Sequence, residues 1–153
     1  MTAARVTEIL NYLRIDAALA TSGQPSVDEL GAVASDGTEV VINLALHDDP
    51  RYSLPDEAGT VSSLGMTYVH IPVKFDAPTE ADLLAFFDAM ERHQGKKLLV
   101  HCAANKRVTS FLGLYRVLRQ NWDAEPAFAP MKEVWEPNPV WAAFIAAMLS
   151  SKK

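Results

Sequence analysis

The 153-residue chain has one cysteine, no surplus of positive charge and no long apolar run. A single cysteine excludes an intrachain disulfide and a multi-cysteine zinc site. Fourteen lysines and arginines stand against 19 aspartates and glutamates, for a formal net charge of -5. Without an overall basic surface to displace counterions, general nucleic-acid binding is not expected, and any anionic substrate needs a local positive site. The longest apolar-rich stretch, "VWAAFIAAML" at 140–149, is too short to cross a bilayer. The opening "MTAARVTEILNYLRIDAALA" has no basic segment followed by an apolar one. Glu8, Asn11, Arg14 and Asp16 interrupt it, so no signal peptide is expected. A cytoplasmic setting with no membrane partner follows as the expectation, and a lone thiol suits a reducing compartment.

What is present is a globular composition, 49% hydrophobic and 22% charged, of a size for one domain over residues 1–153. There is no internal repeat, linker or low-complexity tract. Residues 5–13 suggest a short helix and Ala17–Thr21 a short strand ending at "SGQP". Ser26 and Glu29 form a capping-box pair opening a helix to about Ala34, and Asp36-Gly37 makes a turn. "TEVVINLAL" at 38–46 is apolar on both faces, as a central strand should be. A helix is predicted from about Pro55 to Gly65 and a strand at 66–73. Thr79 caps a helix with apolar positions Leu83, Phe86, Phe87 and Met90, ended by Gly95. "KKLLVH" at 96–101 is a buried strand, 108–120 a helix, and the remainder covering helices around Trp122, Trp135 and Trp141. This alternation predicts an α/β sandwich with a mostly parallel central sheet of four to five strands flanked by helices.

In such sheets ligands bind outside the carboxyl ends of the strands. Three loops qualify: those after Leu44, Val73 and His101. The last, "LLVHCAANKRVTS", carries Cys102. A strand, a short loop and a helix make an anion cradle from backbone N–H groups and the helix dipole. Arg107 adds a bidentate fork, and the same positive field favours the nucleophilic thiolate of Cys102. The plainer alternative is a small buried cysteine at a strand end.

"HCAANKRVTS" resembles the signature loop of cysteine-dependent protein tyrosine and dual-specificity phosphatases: His-Cys, five residues, Arg, then Ser or Thr. Together with "LATSGQPSVDEL", "VVINLAL" and "YVHIPVKFDAPTEADL", it resembles a bacterial phosphatase-like family. That family is also found fused to metallo-β-lactamase-like hydrolases, and parts of it are linked to sulfur transfer. The resemblance spans roughly residues 13–149 and implies the tyrosine-phosphatase α/β sandwich. It implies Cys102 as nucleophile, Arg107 with the loop residues Ala103, Ala104, Asn105 and Lys106 as the phosphate cradle, and Asp76 as acid and base. Thr109 would support the thiolate and His101 would orient the loop. The implied reaction is hydrolysis of a phosphomonoester, on a protein or a small molecule, through a phosphocysteine, with neither metal nor cofactor required.

The chain departs from that pattern. Four residues, not five, separate Cys102 from Arg107, a length that resembles rhodanese-type sulfurtransferases, which carry a persulfide. Asn105 stands for a usual glycine, though asparagine tolerates the left-handed conformation. Ala45 stands where relatives carry an arginine. These departures leave sulfur transfer and a non-catalytic phosphate-binding module as alternatives. Each side chain also has an ordinary role open to it. Asp76 can be a turn residue, Thr109 can satisfy helix backbone, Lys106 can face solvent, and His47-Asp48-Asp49 is better read as a solvated loop than a metal site.

Overall fold

Side-chain alternation along three short strands places the site. In a computed structural model, which describes residues 4–47 and 53–151, five strands form one sheet. They are β1 (Leu13–Asp16), β2 (Leu19–Ser22), β3 (Val40–Asn43), β4 (Thr67–His70) and β5 (Leu98–His101), ordered β1-β2-β5-β3-β4. Only the β1–β2 pair is antiparallel. β5 therefore lies mid-sheet, and all four of its residues are buried, as predicted for an apolar run.

The helices are α1 (Val27–Ser35), α2 (Glu57–Ser63), α3 (Glu80–Arg92), α4 (Lys106–Gln120), α5 (Ala124–Ala127), α6 (Ala129–Val134) and α7 (Pro139–Ser150). They divide between two cores. Val40, Ile42, Leu98, Val100 and Cys102 pack with residues of α3 and α4. Val41 and Leu99 pack with Leu30 and Val33 of α1 and Val61 of α2. Successive strand residues point to opposite faces, so β2, β3, β4 and β5 each feed both cores.

Two helix starts follow from short-range chemistry. Ser26 accepts the Glu29 N–H while Glu29 returns to the Ser26 N–H, and Thr79 does the same with Asp82. The predicted stripe Leu83, Phe86, Phe87 and Met90 is buried. α4 is enclosed on every side, with each residue from Arg107 to Val117 buried. Gly113 permits this, because a Cβ there would lie 2.2 Å from the Phe128 ring.

The N-terminal prediction needs correction. Residues 5–13 form one 3-10 turn, Val6–Glu8, and not a helix. Asn11 takes a left-handed φ of 51° that stops helical winding, and Leu13 already belongs to β1. The predicted strand 17–21 is displaced, because Ala17 and Ala18 form the β1–β2 turn. Asp16 Oδ1 accepts the Ala18 N–H there at 2.8 Å. α4 starts at Lys106, two residues earlier than its apolar pattern suggests. At the C-terminus, Asn138 accepts the Trp141 N–H at 2.9 Å and Pro139 opens α7, so "EPNP" is a helix boundary.

Candidate active site

β3, β4 and β5 end in register at Asn43, His70 and His101, which brings the three candidate loops together. His101 and Cys102 continue the strand alternation. Cys102, 1% exposed, belongs to the α3–α4 core, while His101 turns to the α2 face. There its Nε2 lies 2.7 Å from Glu57 Oε2, both side chains being fully buried. A carboxylate only accepts, so this nitrogen carries the proton. The other ring nitrogen is 3.4 Å from the Cys102 carbonyl oxygen. Gln24 Nε2 donates to the second carboxylate oxygen of Glu57 at 2.8 Å. Burial pushes the Glu57 carboxyl up, but the hydrogen bond and charge of His101, with Gln24, outweigh it and hold Glu57 below its ordinary range.

The outer side of the cysteine loop is clamped to the N-terminal hairpin. Gly23 bridges Ala104, and the Gln24 N–H donates to the Ala103 carbonyl at 3.0 Å. A Cβ on Gly23 would meet that same carbonyl at 2.6 Å, so the contact requires glycine. Asn11 Nδ2 donates to the Ala104 carbonyl at 3.0 Å, and Asn105 Nδ2 donates to the Asn11 carbonyl at 2.8 Å and to Thr21 Oγ1 at 3.0 Å. Asn105 adopts φ 68° and opens α4. The first intrahelical bond runs from the Thr109 N–H to the Asn105 carbonyl, which leaves the earlier N–H groups of the helix without intrahelical acceptors.

Arg107 is buried at the start of α4. Its Nη1 donates to the Val73 carbonyl at 2.7 Å, and its guanidinium lies 5.7 Å from the Phe75 ring centre. Its Nε is buried without a partner. A buried charged donor lacking an acceptor is costly, and an oxyanion removes that cost. Lys106 is half-buried with Nζ 5.5 Å from the Trp135 ring centre. The Thr109 hydroxyl donates to the Asn105 carbonyl at 2.8 Å, the helix-backbone arrangement and not one directed at sulfur.

Asp76 is exposed in the turn after Val73. The turn is held from the C-terminal helices: Trp141, fully buried, donates its indole N–H to the Phe75 carbonyl at 2.6 Å. After β3, Ala45 is buried, its N–H on Asn43 Oδ1 at 2.9 Å and its carbonyl 2.6 Å from His70 Nε2. Asn43 Nδ2 also donates to the Tyr68 hydroxyl at 3.0 Å and approaches His47 Nε2 at 3.2 Å. Burial pushes the Tyr68 hydroxyl up; Asn43 opposes this and Glu57 adds to it. Asp48 and Asp49 lie outside the described residues. Among those described, no group of three or more histidine, cysteine or acidic side chains could hold a metal, and no helix is long and apolar enough to cross a membrane.

The structure thus gathers His101, Cys102, the loop residues and Arg107, and brings the Asp76 turn to Arg107 through Val73. Glu57, Gln24 and Asn11 were not anticipated. Of these only Gln24 carried a signal, since a turn at "SGQP" accounts for the glycine and leaves the glutamine unexplained.

A family model described as DSP-PTPase phosphatase fused to NAD+ kinase matches residues 5–135. A β-lactamase hydrolase-like protein of Xylella fastidiosa (strain Temecula1 / ATCC 700964) is 34% identical over 111 residues, which are 71% of this chain and 26% of that protein. The chain therefore spans about a quarter of the length of the curated relatives it matches. The crystal structure of a phosphatase-like DUF442 protein from Shewanella putrefaciens CN-32 has a TM-score of 0.85 at 32% identity and covers 96% of each chain. Tk-PTP in its active form has a TM-score of 0.72 at 24% identity, over 93% of this chain and 95% of its own, a likeness of fold.

Proposed function

This chain belongs to the family described as DSP-PTPase phosphatase fused to NAD+ kinase, and we propose that it hydrolyses phosphomonoesters through a phosphocysteine on Cys102. Residues 1–153 act in this reading as one phosphatase-like domain, on a phosphorylated protein or a small phosphate ester. The observation that carries the proposal is Arg107: one nitrogen pinned to Val73, another buried and unpartnered, at the start of the helix that follows Cys102.

The Cys102 thiolate attacks phosphorus, forming the S–P bond as the bond to the leaving oxygen breaks. Asp76 gives its proton to that oxygen. Water then attacks the phosphocysteine, Asp76 takes its proton, and the S–P electron pair returns to sulfur as phosphate leaves. Arg107 and the free amides at the start of α4 stabilise the equatorial oxygens in both steps. Assay of an aryl phosphate from acid to neutral pH tests this. Turnover by wild type and none by Cys102→Ser supports it; no difference between the two overturns it.

Sulfur transfer is the second reading, favoured by the four residues between Cys102 and Arg107. Here the thiolate attacks the outer sulfur of thiosulfate, the S–S bond breaks, and sulfite leaves with the electron pair. The resulting persulfide adds about 32 Da to Cys102. Intact mass after thiosulfate treatment and thiocyanate formation from cyanide distinguish this reading. A Cys102-dependent phosphate adduct opposes both it and a purely binding role.

A further inference from the structure

At the end of the sheet opposite Cys102, a cleft of about 320 Å³ opens between the β1–β2 turn, the end of α3 and the second half of α4. Its floor is apolar, from Leu19, Met90, Leu98 and Leu112. Its wall carries Arg116, whose guanidinium carbon lies 4.1 Å from the Trp122 ring centre. Arg116 is 8% exposed, yet among the described residues no carboxylate pairs with it and its side chain makes no hydrogen bond. Burial pushes its guanidinium below the ordinary value, with Asp16 opposing. His93, on the same lining, has its Nδ1 buried without a partner. An arginine can bury its stem for packing alone, but this guanidinium faces the cleft with no protein acceptor, which leaves its donors for a polar group bound there.

We propose that this cleft is a second binding site, for a small organic monocarboxylate whose carboxylate pairs with Arg116 and whose hydrocarbon body lies on the leucine and methionine floor. The cleft sets this apolar floor against a polar wall of Arg116, His93, Gln94 and Gln120, a combination that suits a ligand with an apolar body and one polar end. Trp122 covers one face of the guanidinium and leaves its in-plane donors for a planar, two-oxygen acceptor. A single buried cation matches a single negative charge. Asp16 and Lys96, both exposed in the lining, offset each other, and the carbonyl ends of α3 and α4 disfavour a phosphate dianion. This site shares no residue with the Cys102 loop, so it does not rest on the phosphatase reading.

The test is a titration of the full chain with hexanoate, hexanol and inorganic phosphate, following the Trp122 indole N–H by NMR. Hexanoate is expected to shift this resonance saturably, with hexanol and phosphate inert there at the same concentration. Arg116→Gln should weaken hexanoate at least about tenfold, and Arg116→Lys, which keeps charge and stem, by a smaller factor. If Arg116→Gln does not fold, a reduced affinity in Arg116→Lys carries the same weight. Cys102→Ser should leave the titration unchanged. Absence of saturable shifts, equal affinity in the arginine variants, binding of hexanol as tight as hexanoate, or tighter binding of phosphate at Trp122 would each overturn the proposal.

Discussion

Glu57 Oε2 and His101 Nε2 meet at 2.7 Å with neither side chain exposed, and the pair ties α2 to the residue before the candidate nucleophile. Since the folded protein holds Glu57 below its ordinary range, the unfolded chain binds more protons between the two values. The pair's stabilisation is therefore present above the ordinary carboxylate range and is lost as pH falls through the folded value. Glu57→Gln should cost about 3 kcal/mol at neutral pH and flatten the acid limb of the stability profile. Urea unfolding at a series of pH values measures both; a parallel loss at every pH would remove the ion pair from the explanation.

Asn105 combines a left-handed backbone with two side-chain hydrogen bonds. Asn105→Gly keeps the conformation and loses the bonds; Asn105→Ala loses both. Glycine should cost about 1–2 kcal/mol and alanine about 1 kcal/mol more. Thermal unfolding gives the order, and alanine as stable as glycine would show that φ is not the constraint.

Arg107→Lys keeps the charge but replaces the fork that reaches Val73 while presenting Nε. Phosphate affinity of the Cys102→Ser background should fall at least about tenfold when this second change is added. Calorimetric titration reads it. Retained affinity would mean that charge alone suffices.

Trp141→Phe deletes the indole N–H that holds the Phe75 carbonyl beside Asp76. Stability should fall by about 1 kcal/mol. Turnover of an alkyl phosphate, whose leaving oxygen needs a proton, should fall more than that of an activated aryl phosphate. Equal losses on the two substrates would separate Trp141 from the acid's placement.

Much of this arrangement is legible in residue order, and the limits are physical. The caps at Ser26 and Thr79 act within one helical turn, so sequence displays them. The unbroken apolar run Leu98, Leu99 and Val100 likewise predicts a buried strand, and Cys102 to Arg107 is a contiguous loop. Glu57 stayed hidden because its partner lies 44 positions away and a first-turn glutamate is ordinary in any helix. Asn11 misled for a related reason. Its left-handed turn serves the distant Ala104 carbonyl, while the residues around it show helical apolar spacing.

Asn105 donates to the Asn11 carbonyl across 94 positions, Asn11 donates back to the Ala104 carbonyl, and Gly23 admits the Ala103 carbonyl where any side chain would collide. Loop length is consequently a joint property of two remote segments. Adding the one residue that would restore five between Cys102 and Arg107 displaces either Ala104 from Gly23 or Asn105 from Asn11. A lengthened loop could be accepted only with matching changes in the hairpin, so these two stretches are expected to evolve, and to be engineered, as one unit.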